Sequence, residues 1–461
     1  MLMTFDEAAV VLAESMPCTF KKGLFKGFTS VCIDSRDAVK GSLFVALPGI
    51  HTDGHLFAGA AFKKGAAGML GVQGDINFLR LKEQADSYGA AIIGVENALD
   101  GLHALAAFHL DRFPSLLRVG ITGSAGKTTV KEITHAIFSQ SKTVIANKGN
   151  LNSETGLPLS LFNIQEKHQI GIFEAGMNHA GEIYGLAQIL RPHIAMITNI
   201  GSAHIGHLGT RHAIAYEKKA FFSAFTGSET AVIPVNDQFA VFLAENVNGN
   251  VVFWGINEDK PQAGVSFKSL GLEGWEIKLE NRAAKFPLPG SHNLKNAFAA
   301  AAIARAAGLS ADEICAGFES VKPLFGRGRI IKVDEATVLC DYYNASPEAM
   351  AAAIKFCDNI EWNGPRVYVI GEMLELGEES EAAHAAIGLR IADSKAGAVF
   401  LFGKRSRPAF EPVMAGGKAV FFTEDIDELR REVKKQISAN ALVLLKGSRA
   451  CALERVFESD Q

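Results

Sequence analysis

Short apolar runs alternate with longer amphipathic stretches along most of this chain. In the middle of the sequence, "RVGIT", "KTVIAN", "QIGIFEAG", "IAMITNI" and "TAVIPVN" are apolar, often β-branched, and too short for helices, which predicts buried strands. Between them, "GKTTVKEITHAIFSQ", "GEIYGLAQIL" and "HAIAYEKKAFFSAF" carry apolar residues at helical spacing. Strands alternating with helices predict an α/β fold with a central, doubly wound, mostly parallel sheet. The functional loops of such a sheet gather at the carboxyl ends of its strands. "GVSFKSLGLEGWEIKLENRAAKFPLPG" then predicts a small antiparallel excursion, and "HNLKNAFAAAAIARAAG" an alanine-rich helix. Pro, Gly and Arg cluster in "VKPLFGRGR" as at a linker, after which "RVYVIG", "AVFLFG" and "ALVLLKG" repeat the alternation. The opening stretch mixes short strands and helices, with helical periodicity across "HLFAGAAFKKGAAGML". Three domains are expected: a smaller α/β domain over 1–110, the central domain with its P-loop over 111–322, and a Rossmann-like α/β domain over 323–461.

Composition agrees with a multidomain globular chain. Of 461 residues, 48% are apolar and 21% charged, enough to fill several cores. Lys plus Arg number 46 against 50 for Asp plus Glu, a net charge of −4 with no long basic run, which argues against a nucleic-acid surface or a polybasic membrane anchor. No stretch approaches the ~18 uninterrupted apolar residues of a spanning helix, and "MLMTFDEAAVVLAESMPC" has acids where a secretory signal has a basic start. The six cysteines are scattered without a C-x-x-C pair, which fits reduced thiols and a cytoplasmic setting.

The candidate chemistry begins at "GITGSAGKTTVKE", between a predicted strand and a predicted helix. A phosphate cradle needs backbone N–H groups that converge, a lysine that reaches the phosphates, and a hydroxyl at the helix start for magnesium. Gly123 and Gly126 supply the curl, Lys127 the cation and Thr128 the hydroxyl; the glycine that the commonest spelling places at 121 is Ile121. Glu174 ends a buried strand before a glycine turn, where it reads either as a carboxylate ligand for a hard cation or as a capping or surface residue. His204 follows a strand and a Gly-Ser turn on the presumed active face, whereas His207 and His212 read as surface residues. Lys218 and Lys219, on a helix, read from the residues alone as solvated lysines.

Taken together, "TGSAGKTT", "NLNSETGLPLSL", "EAGMNHAGEI", "TNIGSAH" and "GSHNLKNAFAAAAIA" resemble the central domain of the Mur ligases. "IDSRDAVKGSLFVALPGIHTDGH" resembles an N-terminal domain of that family, and "DYYNASPEAM", "GEMLELG" and "LLKGSR" resemble the C-terminal signatures of its dipeptide-adding branch. The family's loop pattern, T-G-[ST]-x-G-K-[ST], fits residues 122–128. The resemblance implies an ATP-dependent amide ligase that adds D-alanyl-D-alanine to a UDP-N-acetylmuramoyl-tripeptide through an acyl phosphate and a tetrahedral intermediate. That activity would serve peptidoglycan precursor synthesis, and through it cell shape and division. It further implies ATP and two magnesium ions as cofactors, small-molecule partners only, and a cytoplasmic monomer without membrane insertion.

Residue roles follow from the same resemblance. Gly123, Ser124, Ala125, Gly126, Lys127, Thr128 and Thr129 would form the cradle, with Lys127 on the β- and γ-phosphates. Thr128 and Glu174 would hold one magnesium and His204 the second; Lys218, in the slot of a carbamylated family lysine, would become a carboxylate-like ligand. Asn293 and Asn296 would approach adenine, Arg327 the phosphates and Asp341 the ribose. Ser35 and Arg36 would meet the uridine nucleotide, Asn152, Glu154 and Thr155 the muramoyl peptide, and Asn344, Ser346 and Lys446 the incoming dipeptide. Ala175 and Ser202 depart from the commonest family residues, the latter replacing a frequent proline. Three other readings compete. A sister ligase adding one amino acid would carry different C-terminal signatures, a P-loop switch or kinase would have no use for the N-terminal domain, and a non-catalytic binder would have lost some of Lys127, Glu174, His204 or Lys218.

Overall fold

The structure is a computed structural model that describes residues 1–49, 52–256 and 264–457. Ile50 and His51, inside the quoted N-terminal stretch, lie outside the described residues. The chain packs as two compact units. One comprises Met1–Gly120, Thr143–Met177 and Gly181–Pro192; the other comprises Ile121–Lys142, Asn178–Ala180 and the described chain from His193 onward.

The first unit holds a five-stranded sheet in the order Cys18–Lys21, Ala91–Val95, Gly68–Val72, Ser42–Val45 and Ser30–Cys32. All neighbours are parallel except the edge pair Cys18–Lys21 with Ala91–Val95. Ala91–Val95 and Ser42–Val45 are buried at every position, as parallel strands covered on both faces must be. The helix expected across "HLFAGAAFKKGAAGML" is shorter than its periodicity suggests. A 3₁₀ turn, Gly54–Phe57, leads into the helix Ala58–Lys63, the backbone turns at Gly65 with φ +93°, and the final residues form the strand Gly68–Val72. Here a glycine in the left-handed region ends a helix that side-chain spacing alone would continue. A second parallel pair, Val144–Ala146 with Ile170–Glu174, also belongs to this unit.

In the second unit, Ile194–Ile197, Thr230–Pro234 and Asn250–Trp254 pair in parallel. The expected antiparallel excursion is the three-stranded sheet Val265–Ser269, Trp275–Leu279 and Arg282–Phe286. The alanine-rich helix runs over Ser291–Ala306 and packs along the helix Lys127–Phe138. "HAIAYEKKAFFSAF" is helical only as Arg211–Lys219, after which it tightens to a 3₁₀ turn over Ala220–Phe222. The C-terminal sheet has the order Arg329–Val333, Ala336–Asp341, Leu442–Lys446, Arg366–Ile370, Ala398–Phe402 and Ala419–Thr423. Its first pair is antiparallel and the remainder parallel, with separate apolar clusters that include Tyr368 and Leu444 on one side and Val369 and Leu445 on the other. Parallel register places Asp341 opposite Lys446 at the carboxyl ends of adjacent strands.

Candidate functional site

The strand Leu117–Thr122 leads into the glycine loop, and the helix Lys127–Phe138 leaves it. Gly123 has φ +146° and Gly126 φ +82°. A Cβ on Gly123 would lie 1.9 Å from Thr198 Oγ1, and one on Gly126 2.5 Å from Asn296 Oδ1, so both positions require the bare backbone. The loop is braced by the residues that follow the strand Ile194–Ile197. Thr198 Oγ1 donates to the Ala125 carbonyl at 2.6 Å. The Asn199 side chain donates to the same carbonyl at 2.9 Å and accepts from the Ala125 N–H at 3.0 Å. The Ser124 N–H reaches the Asn199 carbonyl at 3.0 Å. The N–H groups of Ser124 and Ala125 are both engaged by Asn199 in this way, and the helix that starts at Lys127 presents the positive end of its dipole at the end of the loop. Lys127 Nζ rests on the Gly123 carbonyl at 2.9 Å.

Around this loop lies a cavity of about 470 Å³. Among the predicted residues, Ser124, Ala125, Gly126, Thr129, Asn293, Asn296, Arg327, Asp341, Asn344, Ser346 and Lys446 all line it. Arg327 donates to Thr128 Oγ1 at 3.1 Å, and its guanidinium stacks over the Tyr343 ring at 4.2 Å. Asn293 donates to the Pro289 carbonyl at 2.7 Å, which fixes it at the start of its helix. Lys446, expected at the dipeptide, is buried and spends its charge internally: Nζ lies 2.8 Å from Asp341 Oδ2 and donates to the Asn344 carbonyl at 2.9 Å. Ser346 caps the helix Pro347–Asn359 by accepting from the Ala349 N–H at 3.3 Å.

The two neighbouring lysines separate clearly. Lys219 donates to the Phe242 carbonyl at 2.7 Å and sits over that residue's ring. Lys218 is fully buried, and its Nζ has no hydrogen-bond partner among the described residues. Burial, and after it the Lys127 ammonium, push its pKa well below the ordinary lysine value. His204 has φ +67°, and its Nδ1 lies 3.0 Å from a carboxylate oxygen of Glu375, an ion-pair distance without hydrogen-bond alignment. His207 and His212 are exposed, as the sequence suggests. Ser202 donates to Glu348 through its N–H at 3.1 Å and through Oγ at 2.9 Å, a contact in which proline could supply neither donor.

The remaining predicted residues belong to the other compact unit. Glu174 ends the strand Ile170–Glu174 with 2% of its surface exposed, and its Oε1 accepts from Asn152 Nδ2 at 2.7 Å. The Glu154 carbonyl meets His103 Nε2 at 2.6 Å, and Thr155 Oγ1 lies 3.2 Å from Ser153 Oγ. Arg36 is exposed and turns back on Asp34, at 3.0 Å and 2.6 Å to its two oxygens, which holds that carboxyl near pKa 2; Ser35 lies in the turn between them. Sequence reasoning missed Thr198 and the brace made by Asn199, as well as Glu348, Glu375 and Asn147. They are polar residues in the segments that follow strands or, for Glu348, in the first turn of a helix, and composition there carries no signal of which group each will meet.

Three family models match the chain in order: "Mur ligase family, catalytic domain" over 27–109, "Mur ligase middle domain" over 121–304 and "Mur ligase, glutamate ligase domain" over 326–449. The UDP-N-acetylmuramoyl-tripeptide–D-alanyl-D-alanine ligase of Treponema pallidum is 43% identical, covering 99% of this chain and 98% of that protein. The Escherichia coli enzyme of the same name is 32% identical over 94% of this chain and 93% of its own length. Among solved structures, MurF from Acinetobacter baumannii superposes with a TM-score of 0.85 at 27% identity, covering 97% of each chain. MurF from Thermotoga maritima in complex with ADP gives 0.77 at 28% identity, covering 93% of this chain and 96% of that one. This chain belongs to the Mur ligase family.

Proposed function

We propose that this chain is an ATP-dependent amide ligase that joins D-alanyl-D-alanine to UDP-N-acetylmuramoyl-tripeptide in peptidoglycan precursor synthesis. The observation that carries this reading is the 43% identity to the Treponema pallidum ligase of that name over 99% of the chain, which includes the C-terminal signatures as well as the glycine loop. Residues 1–110 bind the UDP moiety, 111–322 bind ATP, and 323–461 receive the dipeptide and complete the nucleotide site. The enzyme works as a cytoplasmic monomer on small molecules. Among the described residues, no helix is long and apolar enough to cross a membrane.

The chemistry requires two anions to meet. An oxygen of the tripeptide's terminal carboxylate attacks the γ-phosphorus of ATP, the bond to the β-phosphate oxygen breaks, and an acyl phosphate and ADP result. The amine of D-alanyl-D-alanine then attacks the acyl carbonyl. The tetrahedral intermediate loses a proton from nitrogen and expels phosphate, leaving the amide. Fixed positive charge makes the first step accessible: the amino-terminal end of Lys127–Phe138, the Lys127 ammonium and Arg327. Lys127 exchanges its Gly123 contact for phosphate oxygens when the nucleotide binds. Asn293 and Asn296 face the base, and Asp341, held by Lys446, accepts from the ribose. Ser35 and Arg36 meet the uridine nucleotide, and Asn152, Glu154 and Thr155 the muramoyl peptide.

Magnesium, when bound, supplies further charge neutralisation on the phosphate oxygens. Its proposed ligands are Thr128, Glu174, His204 and Lys218. Thr128 and Glu174 offer oxygens and His204 its Nε2; a lysine ammonium is no ligand at all. The Lys218 amine, buried and without a hydrogen-bond partner among the described residues, accounts for that discrepancy. Its depressed pKa favours the neutral form, which adds to carbon dioxide, releases one proton and becomes a carbamate with two ligand oxygens. The direct test mixes the enzyme with ATP, magnesium, the UDP-muramoyl tripeptide and D-alanyl-D-alanine and follows phosphate. Release that requires both organic substrates supports the ligase; steady release without the dipeptide refutes it.

A further inference from the structure

Asn147 has no role in the reading above, yet it holds Glu174 in place. The strand Val144–Ala146 pairs with Ile170–Glu174, and the last register pair is Ala146 with Ile172. The shorter strand stops there, two residues before the end of its neighbour. Asn147 continues the pairing with its side chain. Its Oδ1 accepts from the Glu174 N–H at 2.9 Å, and its Nδ2 donates to the Glu174 carbonyl at 3.0 Å. The same Nδ2 donates to the Leu151 carbonyl at 2.7 Å. An amide has two N–H donors and one carbonyl acceptor, which matches this set of three backbone partners.

The next residue in that segment completes the arrangement. The Asn152 carbonyl accepts from the Gly176 N–H at 2.8 Å, and Asn152 Nδ2 donates to the Glu174 carboxylate at 2.7 Å. Asn147 therefore ties the backbone of Glu174 to the segment whose side chain orients the Glu174 carboxylate. Asn147 is 2% exposed, so solvent cannot substitute for these bonds. Aspartate would lose both donations and set a carboxylate against two carbonyls, and alanine would leave the buried N–H and carbonyl of Glu174 without this partner.

We propose that Asn147 is a positioning residue for the ligase reaction: it fixes the direction of the Glu174 carboxylate and couples it to the substrate-facing segment 152–155. The inference rests on Glu174 being a magnesium ligand. The full-length enzyme and its Asn147→Ala and Asn147→Asp variants are compared by two measurements. One is the binding of Mn2+, as a paramagnetic probe, in the presence of ADP by electron paramagnetic resonance. The other is the magnesium concentration for half-maximal phosphate release, with the KM of each substrate.

Loss of an outer partner to a metal ligand weakens metal binding by about 10- to 100-fold. Both variants are expected to bind Mn2+ at least tenfold more weakly, to recover activity as magnesium is raised, and to show a raised KM for the muramyl tripeptide with that for the dipeptide unchanged. Mn2+ affinity within twofold of the parent, in variants whose melting curve shows a folded protein, overturns the proposal. If Asn147→Ala does not fold, Asn147→Thr, which keeps one donor and one acceptor, carries the same test with a smaller shift. Glu174→Gln separates the two claims. If it leaves Mn2+ binding intact, the ligand assignment fails; if it abolishes binding while the Asn147 variants do not weaken it, only the positioning role fails.

Discussion

Replacing Gly123 by alanine tests the geometry on which nucleotide binding depends. The new Cβ would fall 1.9 Å from Thr198 Oγ1 and 3.0 Å from the Thr198 backbone nitrogen. The hydroxyl must move, which breaks its bond to the Ala125 carbonyl and forfeits about 1 kcal/mol. Holding an L-residue at φ +146° adds roughly 1–3 kcal/mol of backbone strain. The sum of about 2–4 kcal/mol corresponds to ADP binding weaker by roughly 30- to 1,000-fold. Thr198→Ala alone loses only the hydroxyl bond and should weaken binding by about fivefold. In the double variant the 1.9 Å clash is gone, so its affinity should be no worse than that of Gly123→Ala, giving a non-additive cycle. Calorimetric titration with ADP reads all four proteins, and melting curves without nucleotide establish that each is folded. A Gly123→Ala protein that binds ADP within twofold of the parent, or a strictly additive cycle, would refute the reasoning.

Lys218→Met should abolish ligation, and carbon-13-labelled bicarbonate should give a carbamate resonance in the parent that the variant lacks; a parent without that signal at full activity contradicts the carbamate. Ser202→Pro removes both donors to Glu348, and Ser202→Ala only one. At about 0.5–1.5 kcal/mol for each bond, the KM for ATP should rise by a few fold in Ala and further in Pro, with no added effect of Glu348→Ala on the Pro variant; equal KM values throughout would dismiss the contact. His109 is 3% exposed, and burial lowers its pKa from 6.5 to about 4. The unfolded chain binds this proton first as pH falls. His109 therefore costs no stability above pH 6.5 and destabilises progressively between 6.5 and 4, by up to roughly 3 kcal/mol. Unfolding midpoints against pH should fall less steeply in His109→Leu than in the parent over that window, and parallel curves would count against the assignment.

The fold was largely legible because its strands are short apolar runs punctuated by glycine and its helices keep their spacing, as in "RVGIT" followed by "GKTTVKEITHAIFSQ". Where the reading overran, at "GAAGML", one left-handed glycine outweighed periodicity. The glycine loop itself was visible for the same local reason: Gly123, Gly126, Lys127 and Thr128 fall within six consecutive residues. Lys218 and Lys219 were indistinguishable in sequence, because burial separates them and burial is set by residues far along the chain. Thr198, Asn199 and Asn147 were invisible as braces. Thr198 and Asn199 brace Ala125, 73 and 74 positions away, and Asn147 braces Glu174, 27 positions away, relations that only the folded sheet creates.

The central claim is that ATP activates the tripeptide carboxylate by transferring its γ-phosphoryl group to it. Labelling that carboxylate with oxygen-18 and analysing the released phosphate by mass spectrometry tests the claim directly. One labelled oxygen should appear in phosphate for each amide formed, because the oxygen that attacked phosphorus leaves with it. Phosphate free of label, alongside normal amide formation, would contradict the account.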